Sequence, residues 1–273
     1  MIGIAFWNVH RNPDIDETIQ NLILEKRCDM FILAEYENST EGFCNLLSLK
    51  GKDFYPLPLI GCDRIKIIAD KFLKCEPVSD QKYFTMWNFS CLDKQFLIAA
   101  LHLPSRLHAD EYEYISLASG IISEIESAEE RIGHANTVIA GDFNANPFES
   151  MCINAGCFHG LPDAEEARRG SRRVYGREYK MFYNPMWNFF GDRQKPPGTY
   201  YYASSGIQSY YWNMFDQIML RPEMLKCFRK DSLEIVTSVN GKPLITKRGI
   251  PDKKQYSDHL PLFFQIEESQ IDG

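Results

Sequence analysis

The amino-acid sequence predicts a layered α/β (α+β) domain in which packed β-sheets are flanked by a few helices. Predicted strands outnumber predicted helices, the helices are amphipathic, and both ends of the chain are β-structure. The 273 residues show no internal repeat, low-complexity tract or Gly/Ser-rich linker. We therefore expect one domain that spans residues 1–273 and buries a substantial core.

Buried strands are predicted where short runs are apolar on both faces. The clearest runs are Ile2–Trp7, Met30–Ala34, Gln95–Leu101 and Thr137–Ala140. Looser alternation predicts strands at Arg64–Ala69 and Tyr83–Phe89, and the closing strands are expected at Asn213–Leu220, Leu233–Val239 and Leu260–Ile266. Residues 160–211 are rich in Arg, Tyr, Gly and Pro and predict mainly long loops.

Two amphipathic helices separate these strands. After Asn12-Pro13, Asp14 is expected to cap the first helix together with Glu17, three residues on. Residues 110–132 predict the second helix from an apolar stripe at helical spacing. Seven acidic residues and no Lys or Arg lie between Leu107 and Glu130, which indicates a solvated outer face.

Composition excludes several classes of protein. A hydrophobic content of 44% and a charged content of 25% are typical of globular proteins and exclude disordered and fibrous folds. The longest apolar run, Phe96–Leu101, is too short to cross a bilayer, so we expect no membrane partner. A net charge of −7 excludes a protein that coats nucleic acid through an overall basic surface.

The eight cysteines are scattered, with no C-x-x-C pair and no histidine at zinc-finger spacing. No signal peptide is recognised after Met1. Free thiols in a reducing cytoplasm are therefore the preferred interpretation.

Chemistry-bearing side chains follow the buried strands. Asn8, Glu35, His102 and Asp142 each come directly after such a run, and Asp258-His259 opens the last strand. Packing alone does not explain this pattern, whereas strand ends that meet at one edge of a sheet are the usual place for a ligand site.

The residue types point to a hard divalent cation. Glu35, Asp142 and Asp258 offer carboxylate oxygens, and Asn8 and Asn144 offer amide oxygens. Such a set suits Mg²⁺ or Mn²⁺ rather than zinc, and crowded carboxylates need a cation to offset their repulsion. His102 and His259 could transfer protons. The oxygen donors and the two histidines together predict metal-assisted hydrolysis of a phosphate ester.

Five segments, taken in order, resemble the motifs of the endonuclease/exonuclease/phosphatase superfamily. They are Trp7-Asn8-Val9, Leu33-Ala34-Glu35, Gly141-Asp142-Phe143-Asn144, Phe215-Asp216 and Ser257-Asp258-His259. Each motif is weak alone, but the five cover residues 7 to 259. The resemblance implies a four-layer α-β-β-α sandwich with two central mixed sheets and an active site at one end.

The resemblance also implies a role for each matched residue. Glu35 would be the principal metal ligand, with Asn8 beside it and Asp258 completing the metal or water network. Asp142 would align or deprotonate the attacking water, supported by Asn144. Asp216 would orient His259 toward the scissile phosphate, and His102 would reach a phosphate oxygen. The family often has Arg-(Ile/Leu)-Asp-Tyr at this position, where this chain has Met214-Phe215-Asp216-Gln217, so the Asp is kept but the Arg and the Tyr are absent.

Substrate-binding residues are predicted from charge and from one aromatic side chain. Residues 168–180 hold six basic residues against one acidic residue, and residues 242–254 hold five against one. Both segments could clamp a nucleic-acid backbone, with Arg172 and Arg173 as contacts, or could be solvated loops. Arg106 is a further candidate, and Trp187 is expected to be exposed and able to stack on a base.

Three hypotheses follow. We favour a Mg²⁺- or Mn²⁺-dependent phosphodiesterase that acts as a nuclease on nucleic acid. The first alternative is a hydrolase for a smaller phosphoester, such as an inositol phosphate, a phospholipid head group or a nucleotide. The second is an inactive binding module that kept the fold.

Overall fold

The computed structural model describes residues 1–92, 94–105, 110–207 and 209–271. Its helices are α1 (Asp16–Lys26), α2 (Thr40–Ser48), α3 (Glu111–Ile132), α4 (Ser150–Ile153) and α5 (Ala164–Ala167). Short 3₁₀ turns cover Pro185–Phe189, Pro222–Met224, Lys230–Ser232 and Glu268–Gln270.

The strands of the first half are β1 (Ile2–Asn8), β2 (Met30–Ala34), β3 (Phe54–Pro56), β4 (Ile65–Asp70), β5 (Lys74–Gln81), β6 (Phe84–Cys91), β7 (Lys94–His102) and β8 (Thr137–Asp142). The strands of the second half are β9 (Gly160–Leu161), β10 (Ser171–Val174), β11 (Arg177–Lys180), β12 (Phe182–Tyr183), β13 (Tyr200–Tyr201), β14 (Trp212–Asn213), β15 (Asp216–Leu220), β16 (Glu234–Ile235), β17 (Ser238–Val239), β18 (Lys242–Pro243) and β19 (Leu262–Ile266).

Two large mixed sheets form the centre of the fold. The first sheet has the strand order β16-β19-β1-β2-β4-β3, and the second has the order β5-β6-β7-β8-β15-β12-β9. In each sheet one central pair is parallel, β1 with β2 and β7 with β8, and its neighbouring strands pair with it antiparallel. The edge pair β9 with β12 of the second sheet is also parallel. This confirms the predicted mixed sheets.

The two sheets are stacked, and helices cover their outer faces. Along β7, Ile98 and Ala100 belong to the core between the sheets, whereas Leu97 and Ala99 pack with the apolar stripe of α3. Helices α1 and α2 contribute their apolar side chains to the core around β1 and β2. The layers are therefore helix, sheet, sheet and helix, and the predicted four-layer sandwich is confirmed.

Helix α3 begins as its sequence predicts, but α1 does not. Asp110 and Glu113 form a capping box at the start of α3. The predicted Asp14 cap is wrong, because α1 begins at Asp16 with no side-chain cap. The backbone N–H of Asp14 donates instead to Asn12 Oδ1 at 2.9 Å, so this residue lies in a turn before the helix.

The acidic face of α3 is not entirely solvated, which corrects the sequence-based expectation. Glu129 is buried, and its Oε1 accepts from Arg221 Nε and from Thr137 Oγ1, both at 2.8 Å. Lys180 Nζ lies 3.3 Å from Glu129 Oε2. This buried ion pair joins α3 to the start of β8 and the end of β15.

The edge strand β5 was missed, and part of the region predicted as loops is ordered into strands. β5 is polar and contains Pro77 at a register shift, features typical of an edge strand rather than of a buried one. Within residues 160–211, β10 and β11 form a hairpin and β9 and β12 extend the second sheet. The predicted strand at Leu233–Val239 is divided into β16 and β17.

No helix of the residues described combines the length and the apolar character that crossing a bilayer requires.

Gly141 and Gly120 give a matched test of the fold. A Cβ at Gly141 would lie 2.2 Å from the carbonyl oxygen of Leu101 on the neighbouring strand, whereas a Cβ at Gly120 in α3 meets nothing within 4 Å. We expect Gly141→Ala to lower the free energy of unfolding by about 2–4 kcal/mol. Gly120→Ala should raise it by about 1 kcal/mol. Urea unfolding of both variants measures this, and equal effects would contradict the register of β7 and β8.

Candidate active site

Three polar residues form one row across the end of the second sheet. In the strand register, Asp142 at the end of β8 pairs with His102 at the end of β7 and with Asp216 at the start of β15. All three side chains are buried. The sheet itself therefore places an imidazole and two carboxylates side by side.

The first sheet brings Asn8 and Glu35 to the same end of the sandwich. Asn8 ends β1 and pairs with Ala34, the residue before Glu35. Asn8 Nδ2 donates to Asp142 Oδ2 at 3.0 Å, and Asn8 Oδ1 accepts from the backbone N–H of His10 at 3.1 Å. Glu35 has a φ of 53°, in the left-handed region that non-glycine residues rarely adopt. The chain thus turns sharply where it leaves β2.

Asp142 is fixed by two hydrogen bonds. Its Oδ2 accepts from Asn8, and its Oδ1 accepts from the backbone N–H of Asn144 at 2.8 Å. Asn144 has a φ of 49°, and its Nδ2 donates to the carbonyl of Leu103 at 2.9 Å. The Gly-Asp-Phe-Asn segment is therefore a tight turn that also orients a carboxylate.

His259 is held by Asp216. Its Nδ1 lies 2.8 Å from Asp216 Oδ2, and its Nε2 lies 3.9 Å from Asp142 Oδ2. Trp7 Nε1 donates to the carbonyl of His259 at 2.9 Å. Asp142, Asp216 and His259 place one potential ligand atom each within 4.8 Å of one another.

The surroundings of His259 favour its charged form. Burial lowers the pKa of His259, but the negative charges of Asp216, Asp142 and Asp258 raise it to about 10. His159, a second buried histidine, shows the effect of burial without such carboxylates, because its pKa is lowered from the usual 6.5. We therefore expect a protonated His259 at neutral pH in the metal-free protein.

Glu35, His102 and Asp258 complete the site. His102 Nε2 lies 3.6 Å from Glu35 Oε1 and 4.0 Å from Asp142 Oδ2. Asp258 Oδ1 is buried, has no hydrogen-bond partner among the described residues, and lies 3.3 Å from His10 Nδ1. Carboxylates from both sheets thus face the imidazole of His102.

An open pocket of about 910 Å³ contains these groups. Seven of the predicted site residues line it, namely Asn8, Glu35, His102, Asp142, Asn144, Asp258 and His259. Asp216 lies directly behind His259 and is fully buried. The structure therefore brings all eight predicted catalytic and metal-site residues to one end of the sandwich.

Arg172 and Arg173 lie at the opposite end of the second sheet. Arg172 Nε donates to His159 Nε2 at 2.9 Å, just before β9. Lys180, in the same hairpin, contacts Glu129 beside Thr137, where β8 begins. Because the pocket is at the other end of β8, roughly 16 Å of strand separates the two regions. This placement argues against a clamp that works with the pocket.

Trp187 does not have the exposed position that its sequence context predicts. Trp187 is only partly exposed, its Nε1 is buried, and its ring packs against Phe148 and Phe190, so it does not stand free as predicted. Arg106 lies outside the described residues. From the second basic segment, Arg248 lines a neighbouring pocket of about 680 Å³ that also includes Tyr210.

Several pocket residues were not predicted as part of the site. The pocket wall contains four basic side chains, namely His10, Arg11, Arg64 and Lys82, and an aromatic group that includes Tyr83, Tyr200, Tyr202 and Tyr210. Arg11 lies three residues after Asn8 of the Trp-Asn motif, and this closeness in sequence could have predicted it as a residue of the site.

Two less visible residues position the site. Ser257 Oγ donates to the carbonyl of Asn8 at 2.7 Å and accepts from the backbone N–H of His259 at 3.1 Å. Tyr200 packs on His259 with ring centroids 4.7 Å apart. The Ser257-Asp258-His259 segment marks the serine, whereas nothing in the sequence distinguishes Tyr200 from its neighbouring tyrosines.

Comparison with solved structures identifies the fold. The human Nocturnin catalytic domain with bound sulfate has a TM-score of 0.59 at 14% identity, covering 97% of this chain and 93% of that chain. The endonuclease domain of TRAS1, a telomere-specific non-LTR retrotransposon, has a TM-score of 0.56 at 10% identity over 98% and 99%. The 3′ phosphatase NExo from Neisseria, bound to product DNA hairpin, has a TM-score of 0.56 at 14% identity over 98% and 100%.

The chain has the endonuclease/exonuclease/phosphatase fold. No family model matches the sequence, and no curated protein does. At 10–14% identity the likeness is one of fold, so the chemistry of this chain has to be argued from its own pocket.

Replacing Asp216 tests the electrostatics of this site. We expect Asp216→Asn to lower the pKa of His259 from about 10. Burial disfavours the charged imidazole, and in the variant one fewer carboxylate stabilises that charge. Because His259 has a higher pKa in the folded protein than its usual 6.5, its protonation adds to the free energy of unfolding. This contribution is complete below about pH 6.5 and is lost as the pH rises toward 10. The stability difference between wild type and variant should therefore shrink over that range.

The measurement is an NMR titration of the histidine ring protons in metal-free protein, with denaturation at several pH values. His159 is the internal control, since it lies beside Lys180 and Arg172 rather than Asp216. An unchanged titration of His259 in the variant would contradict the assigned pair.

Proposed function

We propose that this chain is a Mg²⁺- or Mn²⁺-dependent phosphodiesterase that hydrolyses nucleic acid. One observation carries the proposal: the pocket brings Glu35, Asp142 and Asp258 together with an imidazole that is hydrogen-bonded to a buried carboxylate. Two structural neighbours support this class, since one is the endonuclease domain of TRAS1 and one is the 3′ phosphatase NExo bound to product DNA hairpin.

The oxygen donors fit a hard divalent cation. Glu35 lies 3.6 Å from Arg11 Nε and from His102 Nε2, distances longer than hydrogen bonds, so its lone pairs are available. Asp258 Oδ1 is a buried atom with no hydrogen-bond partner among the described residues and lies 3.3 Å from His10 Nδ1, so its lone pairs are also available to a cation. Asn8 Oδ1 accepts one hydrogen bond and keeps a second lone pair.

We assign the metal to Glu35, Asn8 and Asp258. When bound, the cation would neutralise the carboxylates and polarise a phosphate oxygen. The other cluster, Asp142 with Asp216 and His259, is better suited to proton transfer, because Asp216 already engages His259 Nδ1.

Hydrolysis needs one proton taken from the attacking water and one given to the leaving oxygen, and we assign these transfers to Asp142 and His259. Asp142, oriented by Asn8 and Asn144, would hold the attacking water and take one of its protons. The water oxygen forms a bond to phosphorus, and the bond from phosphorus to the leaving oxygen breaks. Protonated His259 would give its Nε2 proton to that oxygen, while Asp216 keeps the ring in place. His102 would donate a hydrogen bond to a phosphate oxygen.

A small phosphoester is the second candidate substrate. The placement of Arg172 and Arg173 away from the pocket favours it, because the predicted clamp was the main sequence argument for a polynucleotide. An inositol phosphate, a phospholipid head group or a nucleotide would each present a phosphate to the same groups.

We also propose that the protein works in a reducing compartment such as the cytoplasm. All eight cysteines are free thiols, and seven of them are buried. Burial raises the pKa of Cys44 and of Cys62 to about 11, so these thiols are poor nucleophiles at neutral pH.

Removal of the proposed metal ligand tests the function. We expect Glu35→Gln to reduce kcat on the order of a thousandfold, because the pocket then loses a charge that holds the cation. Glu37→Gln is the matched control, since Glu37 also contacts Arg11 but lies outside the described pocket lining.

The assay is a panel of DNA, RNA and small phosphodiesters with Mg²⁺ or Mn²⁺, and with EDTA. Circular dichroism checks that both variants fold. Hydrolysis that survives in EDTA, or in Glu35→Gln, would remove the metal assignment. A protein that cleaves no phosphodiester at all would be an inactive binding module.

Salt dependence separates the two substrate classes. A polynucleotide that contacts several cations releases counterions on binding, so kcat/KM should fall steeply between low and moderate salt. A small phosphoester should show a shallow dependence. Measuring kcat/KM from 50 to 200 mM salt decides between them, and a shallow dependence on the best polynucleotide would count against nucleic acid.

A further inference from the structure

Two cations on the pocket wall share one aromatic ring. The guanidinium carbon of Arg64 lies 5.1 Å from the centroid of the Tyr83 ring, and the ammonium nitrogen of Lys82 lies 5.0 Å from it. All three residues line the 910 Å³ pocket. An aromatic ring attracts a cation but does not neutralise it. Neither cation has a carboxylate within 4.0 Å among the residues that the structure describes.

The neighbouring cation Arg11 is different. Its Nε lies 3.6 Å from Glu35 Oε2 and 3.5 Å from Glu37 Oε1, so two carboxylates already offset its charge. Arg64 and Lys82 are therefore the pocket cations whose charge remains available to an anion.

The backbone fixes this pair of cations beside the reaction centre. The N–H of Glu35 donates to the carbonyl of Arg64 at 3.3 Å, and the N–H of His102 donates to the carbonyl of Tyr83 at 3.0 Å. Arg64 is thus hydrogen-bonded to a proposed metal ligand, and Tyr83, the residue after Lys82, is hydrogen-bonded to a proposed phosphate contact.

We infer that Arg64 and Lys82 form a second phosphate subsite, adjacent to the subsite of the scissile phosphate. This inference rests on the proposed function and refines its substrate class. Two like charges held near one ring repel each other, so an anion beside them gains from both. The preferred substrate then carries a second phosphate close to the scissile one. The next phosphate of a polynucleotide and a second phosphate on a small molecule would both satisfy this chemistry.

The chain offers matched controls for both cations. Arg177 lies 5.1 Å from the ring centroid of Tyr179 in the β10–β11 hairpin, and Lys230 lies 5.5 Å from that of Tyr183. Neither is among the described residues that line the pocket. Arg64→Ala and Lys82→Ala are therefore compared with Arg177→Ala and Lys230→Ala, which lose the same charge and the same type of ring contact.

The test measures kcat and KM on substrates that carry one phosphate and on substrates that carry more than one. Dithymidine monophosphate and bis(p-nitrophenyl) phosphate carry one phosphate, and a 5′-phosphorylated thymidine trinucleotide carries more. A phosphorylated glycerophosphoinositol supplies a second phosphate without a nucleotide. We expect Arg64→Ala and Lys82→Ala each to raise KM roughly fivefold to tenfold on the substrates with more than one phosphate.

The single-phosphate substrates should change by less than about twofold, and the controls should match wild type on every substrate. An effect confined to the trinucleotide would support the subsite and identify a polynucleotide backbone as its source. An effect on both multiply phosphorylated substrates would support a general phosphate subsite. Equal losses on one-phosphate and two-phosphate substrates, or no loss, would overturn the inference.

Binding separates this inference from the proposed function. Calorimetry with the phosphorylated trinucleotide in EDTA reports the subsite without any turnover. If no diester is cleaved but the Arg64→Ala/Lys82→Ala double variant binds roughly tenfold or more weakly than wild type, the subsite stands and the catalytic proposal fails. If diesters are cleaved and the double variant binds as well as wild type, the subsite fails and the catalytic proposal stands.

Discussion

The hydrogen bond between Asn8 and Asp142 joins the two sheets at the end where the polar groups collect. Asn8 belongs to the first sheet and Asp142 to the second, and both side chains are buried. Each sheet holds only half of the proposed chemistry, since Glu35 follows β2 while His102 and Asp216 flank Asp142. The distance between the proposed metal ligand Glu35 and the groups proposed to transfer protons therefore depends on how the two sheets stack, and this hydrogen bond joins the sheets at that point.

Burial gives the site its electrostatic character. Asp142 and Asp216 are almost inaccessible to water, so their charges act strongly on His259 and favour its protonated form. Glu35 and Arg64 line the same pocket but are partly exposed, so their charges are more screened. The pocket thus combines buried groups, to which we assign proton transfer, with partly exposed cations, to which we assign anion binding.

Sequence reasoning located the pocket residues that lie at strand ends. Where an apolar strand ends at Asn8 or Asp142, the change from apolar to polar residues can be recognised in the sequence. This change marks both the strand and the residue at which it ends. Sequence reasoning failed where position depends on distant pairing. Nothing local to Arg172 shows that its hairpin lies beside His159 and Glu129, at the other end of β8. The segment around Arg172 is basic, as its composition shows, but its position in the molecule depends on the order of strands in the sheet.

The same limit explains why the pocket wall was missed and why it matters for specificity. Arg64 and Lys82 come from separate segments of the chain, beside β4 of the first sheet and β6 of the second. The strand pairing within each sheet and the stacking of the two sheets bring them to one pocket. The groups around Asp142 would act on the phosphorus of any phosphodiester, so they cannot by themselves select a substrate. Selection has to come from side chains that touch the rest of the molecule. In this chain the cations with uncompensated charge are on that wall, which makes the number and spacing of substrate phosphates the property that the pocket is best built to distinguish.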